Sequence, residues 1–413
     1  MQKKIEIMAP VGSFESLAAA IQAGADSVYF GIDKLNMRAR SSVNFSFADL
    51  KLIRERCHEN GIKTYLTLNT EIYQDDLSLM REIVNQAKEN GIDAVIASDI
   101  AVIQYANSIE QIIHISTQLN IANYTAVEFW AKFADVMVLA RELNLDQVTE
   151  ISNQIQANQL CGPSGNLIRI EIFAHGALCM AVSGKCYLSL HEFNKSANRG
   201  SCYQTCRRGY VVTDKETGYE LEVNNQYIMS PKDLKTIHFL DKIISAGVSV
   251  LKIEGRGRSA DYVKTVTECY KEAVTAISDG IYTAERIAEW DERLSQVFNR
   301  GFWDGYYLGQ KLGEWSSKYG SQATTKKIYI GDVTNYFSKI EVAEFRIRTG
   351  ELALGEQIMV VGPTSGVWES TVSELRDSQG NIEVASKGMV VSIPVGQRLR
   401  KADKLYKIVE SDY

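Results

Sequence analysis

The sequence predicts an α/β protein built around a closed barrel of eight parallel strands, followed by a smaller antiparallel β structure. Over roughly the first 280 residues, short apolar runs rich in β-branched residues alternate with longer amphipathic segments, which is typical of parallel α/β folds. Three amphipathic segments are followed directly by Gly24, Gly61 and Gly91, as expected of helices that end on a left-handed residue. We therefore expect a TIM-barrel-like (β/α)8 catalytic domain over residues 1–320 and a second domain over residues 326–413.

The apolar runs are expected to be the barrel strands. They cover residues 5–9, 27–30, 63–68, 94–97, 112–116, 136–139, 168–173 and 248–253. The helices are expected at residues 14–23, 47–59, 77–89, 262–278 and 286–298. A doubly wound sheet is the alternative. The first strand is followed by a plain turn with Ser13 as a helix N-cap, and not by the glycine-rich loop of dinucleotide-binding sheets, which favours the barrel.

Short alternating strands dominate the last quarter of the chain. They are expected at residues 327–333, 340–345, 357–361, 367–372, 382–385, 389–393 and 405–408. Turn residues such as those at 378–381 separate them, so the second domain is predicted to be a small antiparallel β-barrel.

Four of the seven cysteines lie within 28 residues, at Cys179, Cys186, Cys202 and Cys206, with the spacing C-x6-C-x15-C-x3-C. They belong to an insertion over residues 174–226 that follows the seventh strand and contains a hairpin-like turn. Residues after a barrel strand lie at the C-terminal face, where barrel enzymes place their chemistry. The cysteines therefore mark the candidate site.

The cellular compartment bears on what four clustered thiols do. No apolar segment with a basic flank opens the sequence, and no run approaches the ~18 apolar residues of a membrane span. We expect a cytoplasmic protein without membrane contact, in which clustered cysteines are metal ligands more often than disulfides. A redox pair and coincidence are the alternatives.

Zinc and an iron–sulfur cluster both accept four thiolates. Only Cys202 and Cys206 form the tight pair that is usual in zinc sites, so the wider intervals favour the iron–sulfur cluster, though only modestly. The net charge of −6 argues against a generally basic nucleic-acid-binding protein but is compatible with a local basic face.

The stretch that carries the first two of these cysteines resembles the pattern of peptidase family U32. That pattern reads E-x-F-x-x-G-[small]-[aliphatic]-C-x4-G-x-C-x-[aliphatic]-S. The matching residues are Glu171, Phe173, Gly176, Cys179, Gly184, Cys186 and Ser189. The similarity extends to residues 36–40, 227–234, 252–256 and 299–302, and so covers most of residues 5–310.

The resemblance implies a barrel-like catalytic domain and is closest to the branch of tRNA hydroxylation proteins, which make 5-hydroxyuridine at the wobble position of tRNA. Related branches hydroxylate cytidine in ribosomal RNA or take part in oxygen-independent ubiquinone synthesis. The implied activity is iron–sulfur-dependent hydroxylation of tRNA, with a 4Fe-4S cluster on the four cysteines and prephenate as the oxygen-donating cosubstrate. Some relatives take one cluster ligand from elsewhere in the chain, so Cys206 is the least certain ligand.

Polar residues at the ends of the predicted strands are the further candidates for catalysis. They are Asn69, Glu71, Asp99, Ser116, Gln118, Asn120, Arg141, His175, Glu254 and Arg256. Any one of them could serve only as a cap or an ion-pair partner. A polar group at nearly every strand end favours a converging site, and we select Asn69, Gln118, His175 and Glu254 as catalytic residues.

Arginines are suited to a dicarboxylate such as prephenate because the guanidinium group binds carboxylates through two parallel hydrogen bonds. Arg38 and Arg40 follow the second strand, and their spacing would point both to one side of an extended segment. Together with Arg256 they are predicted to hold the donor. The alternative is a pair of surface arginines.

Two other classes of function stay open. A peptidase would agree with the family name, but the sequence lacks the local motifs of metalloproteases and serine hydrolases. A Cys179–His175 nucleophile pair would require a free thiolate, and a core or supporting histidine is the alternative role for His175. The other class is an iron–sulfur scaffold that needs a partner protein.

The C-terminal domain is either a stabilising appendage or an RNA-docking module. Its candidate RNA contacts are Arg346, Arg348, Arg376, Arg398, Arg400 and Lys401.

Overall fold

The computed structural model describes residues 4–40, 44–223, 230–310, 313–316 and 320–411. The strands of its first part are β1 (Glu6–Pro10), β2 (Ser27–Phe30), β3 (Lys63–Leu68), β4 (Ala94–Ala97), β5 (Ile113–Ile115), β6 (Val136–Val138), β7 (Arg169–Ala177), β8 (Tyr210–Thr213), β9 (Glu220–Val223), β10 (Asp233–Lys235), β11 (Val250–Ile253) and β12 (Phe302–Trp303). The helices are α1 (Phe14–Gln22), α2 (Leu50–Glu59), α3 (Leu77–Glu89), α4 (Ile100–Ser108), α5 (Tyr124–Trp130), α6 (Leu145–Ala157), α7 (Leu188–Phe193), α8 (Leu240–Ser245), α9 (Ala260–Ser278) and α10 (Ala284–Gln296).

Strands β1 to β7 and β11 form the predicted closed parallel barrel. Each pairs in parallel with its neighbour, and β11 closes the ring by pairing with both β7 and β1. Every residue of β1, β2 and β4 is buried, because helices cover such strands outside and side chains fill the barrel inside. The TIM-barrel-like fold class is confirmed.

Local capping explains where the helices begin and end. The Ser13 side chain accepts a hydrogen bond from the Ser16 amide at 3.3 Å, and the Ser16 hydroxyl accepts one from the Ser13 amide at 2.9 Å. Gly24, Gly61 and Gly91 have φ angles of +69°, +68° and +68°, the left-handed conformation that ends a helix at low cost. Both expectations from the sequence are confirmed.

Ion pairs fill the barrel interior at successive levels along its axis. Near the N-terminal end, Arg169 contacts Glu6 at 2.8 Å. Burial alone would raise the pKa of Glu6, but this contact and further polar contacts outweigh burial and lower the pKa to about 2. Lys252 contacts Glu171 at 2.8 Å in the middle, where both side chains are almost completely buried. These charged side chains of the barrel interior are therefore paired with one another.

The seventh strand is longer than the sequence predicted. It runs to Ala177 because β10 pairs with it antiparallel, with Asp233 opposite Ala177 and Lys235 opposite His175. Within the insertion, β8 and β9 form the predicted hairpin. Residues 224–229, which include part of the family-like segment 227–234, lie outside the described residues.

The C-terminal part consists of antiparallel strands, as predicted. They are β13 (Thr325–Phe337), β14 (Val342–Ile347), β15 (Glu351–Ala353), β16 (Gln357–Gly362), β17 (Gly366–Thr371), β18 (Arg376–Asp377), β19 (Gly380–Asn381), β20 (Val384–Ser386), β21 (Val390–Pro394) and β22 (Lys404–Glu410). Eight of them form one sheet in the order β17-β16-β22-β13-β14-β21-β18-β19, and β15 pairs with β20. None of the described helices combines the length and the apolar composition that a membrane span requires.

Candidate active site

A cavity of about 1030 Å³ opens at the C-terminal end of the barrel strands, between the strand ends and the cysteine-bearing insertion. Nine of the predicted site residues line it. They are Arg38, Asn69, Gln118, Cys179, Cys186, Cys202, Cys206, Glu254 and Arg256. Sequence positions up to 218 residues apart therefore converge on one space, as the barrel topology requires.

Two glycines of the family-like pattern are explained by close contacts. Gly176 has a φ angle of +103°, and a β-carbon there would lie 2.2 Å from the carbonyl oxygen of Glu254. Gly184 has a φ angle of +81°, and a β-carbon there would lie 2.8 Å from the terminal carbon of Met37. At Gly176 only glycine lets β7 pass this close to the backbone of Glu254. At Gly184 the Met37 side chain can move, so the positive φ angle is the reason that favours glycine.

The insertion is held in place by hydrogen bonds around the cysteines. The Cys186 amide donates to Asn198 at 3.3 Å, and the buried Ser189 hydroxyl accepts from the Tyr203 amide at 3.0 Å. Arg207 donates to the Leu178 carbonyl at 2.8 Å and to the Pro231 carbonyl at 2.9 Å. The segment before Cys179 and the segment at Cys206 are thereby tied together.

The four thiols line the cavity and influence one another electrostatically. Burial raises the pKa of the Cys206 thiol to about 11; Arg207 opposes this rise, and the other three thiols add to it. Cys179 is exposed and the other three are half-buried, and all are free of disulfides. All four cysteines of the insertion thus line one cavity.

Within the described ranges, no three His, Cys, Asp or Glu side chains stand close enough to hold one metal ion. In a tetrahedral zinc site with Zn–S bonds of about 2.3 Å, the sulfur atoms lie about 3.8 Å apart. The thiols therefore do not form a ready single-ion site. A cluster of several metal ions would place its thiolate ligands farther apart than a single ion does.

Glu254 is the electrostatic centre of the opposite wall. It accepts a hydrogen bond from Arg38 at 2.7 Å and one from the Tyr29 hydroxyl at 3.2 Å. Burial would raise its pKa, but Arg38, Arg141 and Arg256 outweigh burial and lower it to about 2. Glu254 is therefore an anion at neutral pH and a weak proton acceptor.

Arg256 and Arg141 present nitrogen atoms that have no partner among the described residues. Arg256 is buried and donates to Thr67 at 2.8 Å and to Asn36 at 3.1 Å, but its Nε atom makes no hydrogen bond. The Arg141 guanidinium lies 3.7 Å from the centre of the Phe173 ring, and its buried Nε atom is likewise unpaired. The two guanidinium groups add positive charge to the cavity wall, which favours an anionic ligand.

Asn69 and Gln118 meet at a third part of the wall. The Asn69 amide nitrogen lies 3.4 Å from both the Ser116 hydroxyl and the Gln118 side-chain oxygen. Ser116 also donates to Gln118. These are neutral groups that can donate and accept, as recognition of a heterocycle or a carbonyl requires.

His175 is not brought into the cavity. It lies within β7, is 1 % exposed and is surrounded by the rings of Tyr262, Tyr270 and Phe302. Burial lowers its pKa to about 3. The selection of His175 as a catalytic residue is not supported by this position, and the alternative of a core histidine agrees with it.

Arg40 also departs from the prediction. Residues 37–40 form a turn and not an extended segment, with the Ala39 amide bonded to the Asn36 carbonyl at 3.0 Å. Arg38 therefore lines the cavity, whereas the exposed Arg40 guanidinium lies 4.7 Å from the centre of the Tyr203 ring. Arg40 is placed to support the insertion and not to contact a ligand deep in the cavity.

Comparisons with known proteins identify the family. Residues 12–317 match the sequence model of Peptidase family U32. The chain belongs to peptidase family U32.

Similar proteins carry two kinds of name. A protein of Porphyromonas gingivalis named collagenase is 60% identical over 402 residues, which is 97% of each chain. The tRNA hydroxylation protein P1 of Bacillus subtilis is 30% identical over 389 residues, 92% of this chain and 88% of that one. A 23S rRNA 5-hydroxycytidine synthase of Escherichia coli is 30% identical over 377 residues, 84% of this chain and 55% of that one.

Four charged or aromatic residues are notable among the cavity residues that were not selected from the sequence as site residues. Lys252 and Tyr29 line its inner wall, with the Lys252 Nζ atom 4.6 Å from the Tyr29 ring centre. Arg258 and Arg300 line the wall next to the cysteines. Lys252 and Arg300 lie in segments that resemble the family, which was the available signal; Tyr29 and Arg258 carried none.

Proposed function

We propose that this U32 protein is an RNA-modifying hydroxylase. Its substrate would be the wobble uridine of tRNA, which receives a hydroxyl group at carbon 5, and its oxygen donor would be a small dicarboxylate such as prephenate. One observation carries the proposal: the four cysteines and the arginine-bearing strand ends line the same cavity. The relatives named for hydroxylation of tRNA and rRNA support it.

The cavity wall is suited to an anionic donor. Eight cationic side chains line it against two carboxylates, Glu142 and Glu254, although the whole chain has a net charge of −6. Arg38 and Arg256 meet at Glu254, and Arg141 adds a third cation to the same carboxylate. A dicarboxylate bound there would pair with the guanidinium groups of Arg141 and Arg256, which line the cavity.

The neutral groups of the wall would position the base. Asn69, Ser116 and Gln118 offer donors and acceptors to the edge of a uracil ring. Cys179, Cys186, Cys202 and Cys206 would hold a 4Fe-4S cluster, which supplies redox or Lewis-acid chemistry when bound.

A collagenase-like peptidase is the second candidate, and the relative named collagenase at 60% identity favours it. Peptide hydrolysis by a thiol needs a cysteine with a histidine base. No cysteine of the described segments makes a hydrogen bond to a histidine, and burial raises the pKa values of Cys186 and Cys206. The cavity geometry therefore favours the hydroxylase.

The decisive experiment measures 5-hydroxyuridine by mass spectrometry in tRNA from a strain that lacks the gene. We expect the modification to be lost, restored by the wild-type gene and not restored by Cys179→Ala. Full restoration by the cysteine variant would refute the cluster-dependent mechanism. If restoration requires a second gene, the chain is an iron–sulfur scaffold and not a complete enzyme.

A second experiment separates the two candidates. Anaerobically purified protein is analysed for iron and acid-labile sulfide, and gelatin hydrolysis is measured on the same sample. About four irons and four sulfides per chain without gelatinase activity are expected. Gelatinase activity that Cys179→Ala removes, in protein without sulfide, would establish the peptidase instead.

A further inference from the structure

A second cationic cluster lines the cavity on the side of the cysteines. It consists of Arg207, Arg258 and Arg300, with the carboxylate of Asp233 among them. Asp233 is 1 % exposed. Arg258 contacts its Oδ2 atom at 3.1 Å, and Arg300 contacts its Oδ1 atom at 3.4 Å. Because each arginine uses a different oxygen, the carboxylate holds the two guanidinium groups side by side.

An aromatic ring fixes the same two arginines from another direction. The guanidinium carbon of Arg258 lies 3.7 Å from the centre of the Phe298 ring, and that of Arg300 lies 5.2 Å from it. Both side chains are well buried, with 12 % and 15 % of their surface exposed. Both nevertheless line the cavity. The two guanidinium groups are therefore preorganised, so an anion that binds them would not lose binding free energy to ordering these side chains.

The cluster carries more positive charge than its own carboxylate neutralises. Burial, and then repulsion from Arg207, lower the pKa of Arg300, while Asp233 opposes them. The hydrogen bonds of Arg207 go to the Ser230 hydroxyl and to two backbone carbonyls, which carry no full charge. The hydrogen bonds that the structure describes occupy one nitrogen of each of Arg258 and Arg300, and a guanidinium has five N–H donors. Cys206 and Cys179 offset the charge of Arg207 when they are thiolates. The excess that an additional anion would neutralise is therefore that of Arg258 and Arg300 over Asp233.

The cavity has room for a second ligand beside the donor. At about 1030 Å³ it lies at the upper end of the range for sites that hold one drug-sized molecule, roughly 300–1000 Å³. The first cationic group surrounds Glu254, and the second surrounds Asp233. The neutral Asn69–Gln118 wall belongs to the same cavity. The arrangement provides two anion sites and one neutral recognition surface.

We propose that Arg258 and Arg300 form a phosphate subsite, which binds the phosphodiester of the target nucleotide while the donor carboxylates occupy the group around Glu254. This inference rests on the proposed function, since it assumes a nucleotide substrate. It adds that the nucleotide enters the cavity with its phosphate and that the phosphate is recognised next to the cysteines.

The test measures binding to the anaerobically purified full chain by calorimetry at fixed ionic strength, with three probes: uridine 5′-monophosphate, uridine and malonate. Wild-type protein is expected to bind the monophosphate more tightly than uridine, by roughly tenfold or more, as charge-assisted hydrogen bonds support. Arg300→Gln should lower the affinity for the monophosphate to that for uridine and leave malonate binding unchanged. Arg256→Gln should weaken malonate binding and keep the preference for the monophosphate.

Two further variants act as controls. In Asp233→Asn/Arg300→Gln the carboxylate and one of its two partners are neutralised together, so the net charge of Asp233, Arg258 and Arg300 stays that of the wild type while one guanidinium is lost. It should bind the probes as Arg300→Gln does. Arg348→Gln removes an Arg–Asp contact of 3.0 Å in the C-terminal sheet, far from the cavity in the fold, and should change nothing.

Three results would overturn the subsite: equal affinity of the wild type for the monophosphate and uridine, no binding of either, or loss of malonate binding alone in Arg300→Gln. If Arg300→Gln changes only the iron content, the cluster of arginines balances the charge of the metal group instead. The proposed function is judged separately by the hydroxyuridine assay. If the protein prefers the monophosphate but does not make hydroxyuridine, the phosphate subsite belongs to an enzyme that acts on another phosphorylated substrate.

Discussion

Glu254 shows how strongly one residue depends on its surroundings. Three arginines hold it as an anion with a pKa of about 2, so it is poorly suited to accept a proton from a substrate. Its ion pair with Arg38 instead links the end of β11 to the turn after β2 across the cavity mouth. The catalytic role predicted for Glu254 is therefore better described as positioning Arg38 and Arg256.

Glu254→Gln is expected to destabilise the protein in a pH-dependent way. The folded-state pKa of Glu254 lies below its ordinary value of 4.5, so its charge contributes stability above pH 4.5, and this contribution is lost as the pH falls towards about 2. The contribution at neutral pH is on the order of 3 kcal/mol. Urea denaturation of both proteins should show a large difference at pH 7 that shrinks below pH 4. A difference independent of pH would contradict this explanation.

Gly176→Ala should be among the more damaging single-methyl additions in the barrel. The added β-carbon would meet the Glu254 carbonyl at 2.2 Å and would also force alanine to a φ angle of +103°. The matched control is Gly24→Ala, where φ is +69° and no atom lies within 4 Å, so only the backbone cost of about 1–2 kcal/mol applies. The midpoint temperature of thermal unfolding should be much lower for Gly176→Ala than for Gly24→Ala. Equal midpoints would show that β7 shifts freely.

At the scale of elements, the sequence determined the barrel well because each parallel strand is a buried apolar run. The predicted boundaries at residues 63–68, 77–89 and 94–97 coincide with β3, α3 and β4. The errors arose where distant pairing decides the structure. Strand β7 is extended by β10, which lies more than fifty residues later, and this places His175 in the core.

The candidate site was predictable in part for the same reason. Residues that follow barrel strands must meet at one face, so Asn69, Gln118 and Arg256 could be selected from their positions alone. Side-chain direction in a turn cannot be read in this way, and Arg40 therefore points elsewhere. The short strands β15, β18 and β19 were missed because two or three residues carry no periodicity.

Arg207 is expected to hold the cysteine-bearing insertion together. Its guanidinium joins Leu178 to Pro231 through two carbonyl oxygen atoms, at 2.8 Å and 2.9 Å. Arg207→Ala should increase the rate of limited proteolysis within the insertion at least several-fold and lower the metal content of purified protein. Arg208→Ala is the matched control, because the neighbouring Arg208 is exposed and contacts only Glu192 and the Phe193 ring among the described residues. The same proteolysis rate in both variants would exclude this role.

At the scale of the whole molecule, the C-terminal sheet packs on the outside of the barrel and not at its mouth. Strand β17 contacts α1 and α9, the helices that follow the first and last barrel strands. Arg56 donates to the Pro363 carbonyl at 2.9 Å, and Lys327 contacts Asp261. Two of the arginines considered for RNA docking are paired with acids, Arg348 with Asp332 and Arg376 with Glu374. The docking role of this sheet stays a prediction.

Gln22 is the side chain that joins the two parts most directly. Its amide nitrogen donates to the Ser365 carbonyl at 2.8 Å, and its oxygen accepts from the Val367 amide at 2.9 Å. Gln22→Ala would leave the Val367 amide unpaired, at a cost of about 2 kcal/mol. The Ser365 carbonyl would keep the hydrogen bond that it accepts from Gln397 at 3.0 Å. Hydrogen exchange of the Val367 amide should therefore accelerate, whereas Gln156→Ala, a change at an exposed position on α6, should leave it unchanged. Unaltered exchange in Gln22→Ala would mean that the sheet is held by its apolar contacts with α1 and α9, and that this hydrogen-bonded link contributes little to the union of the two parts.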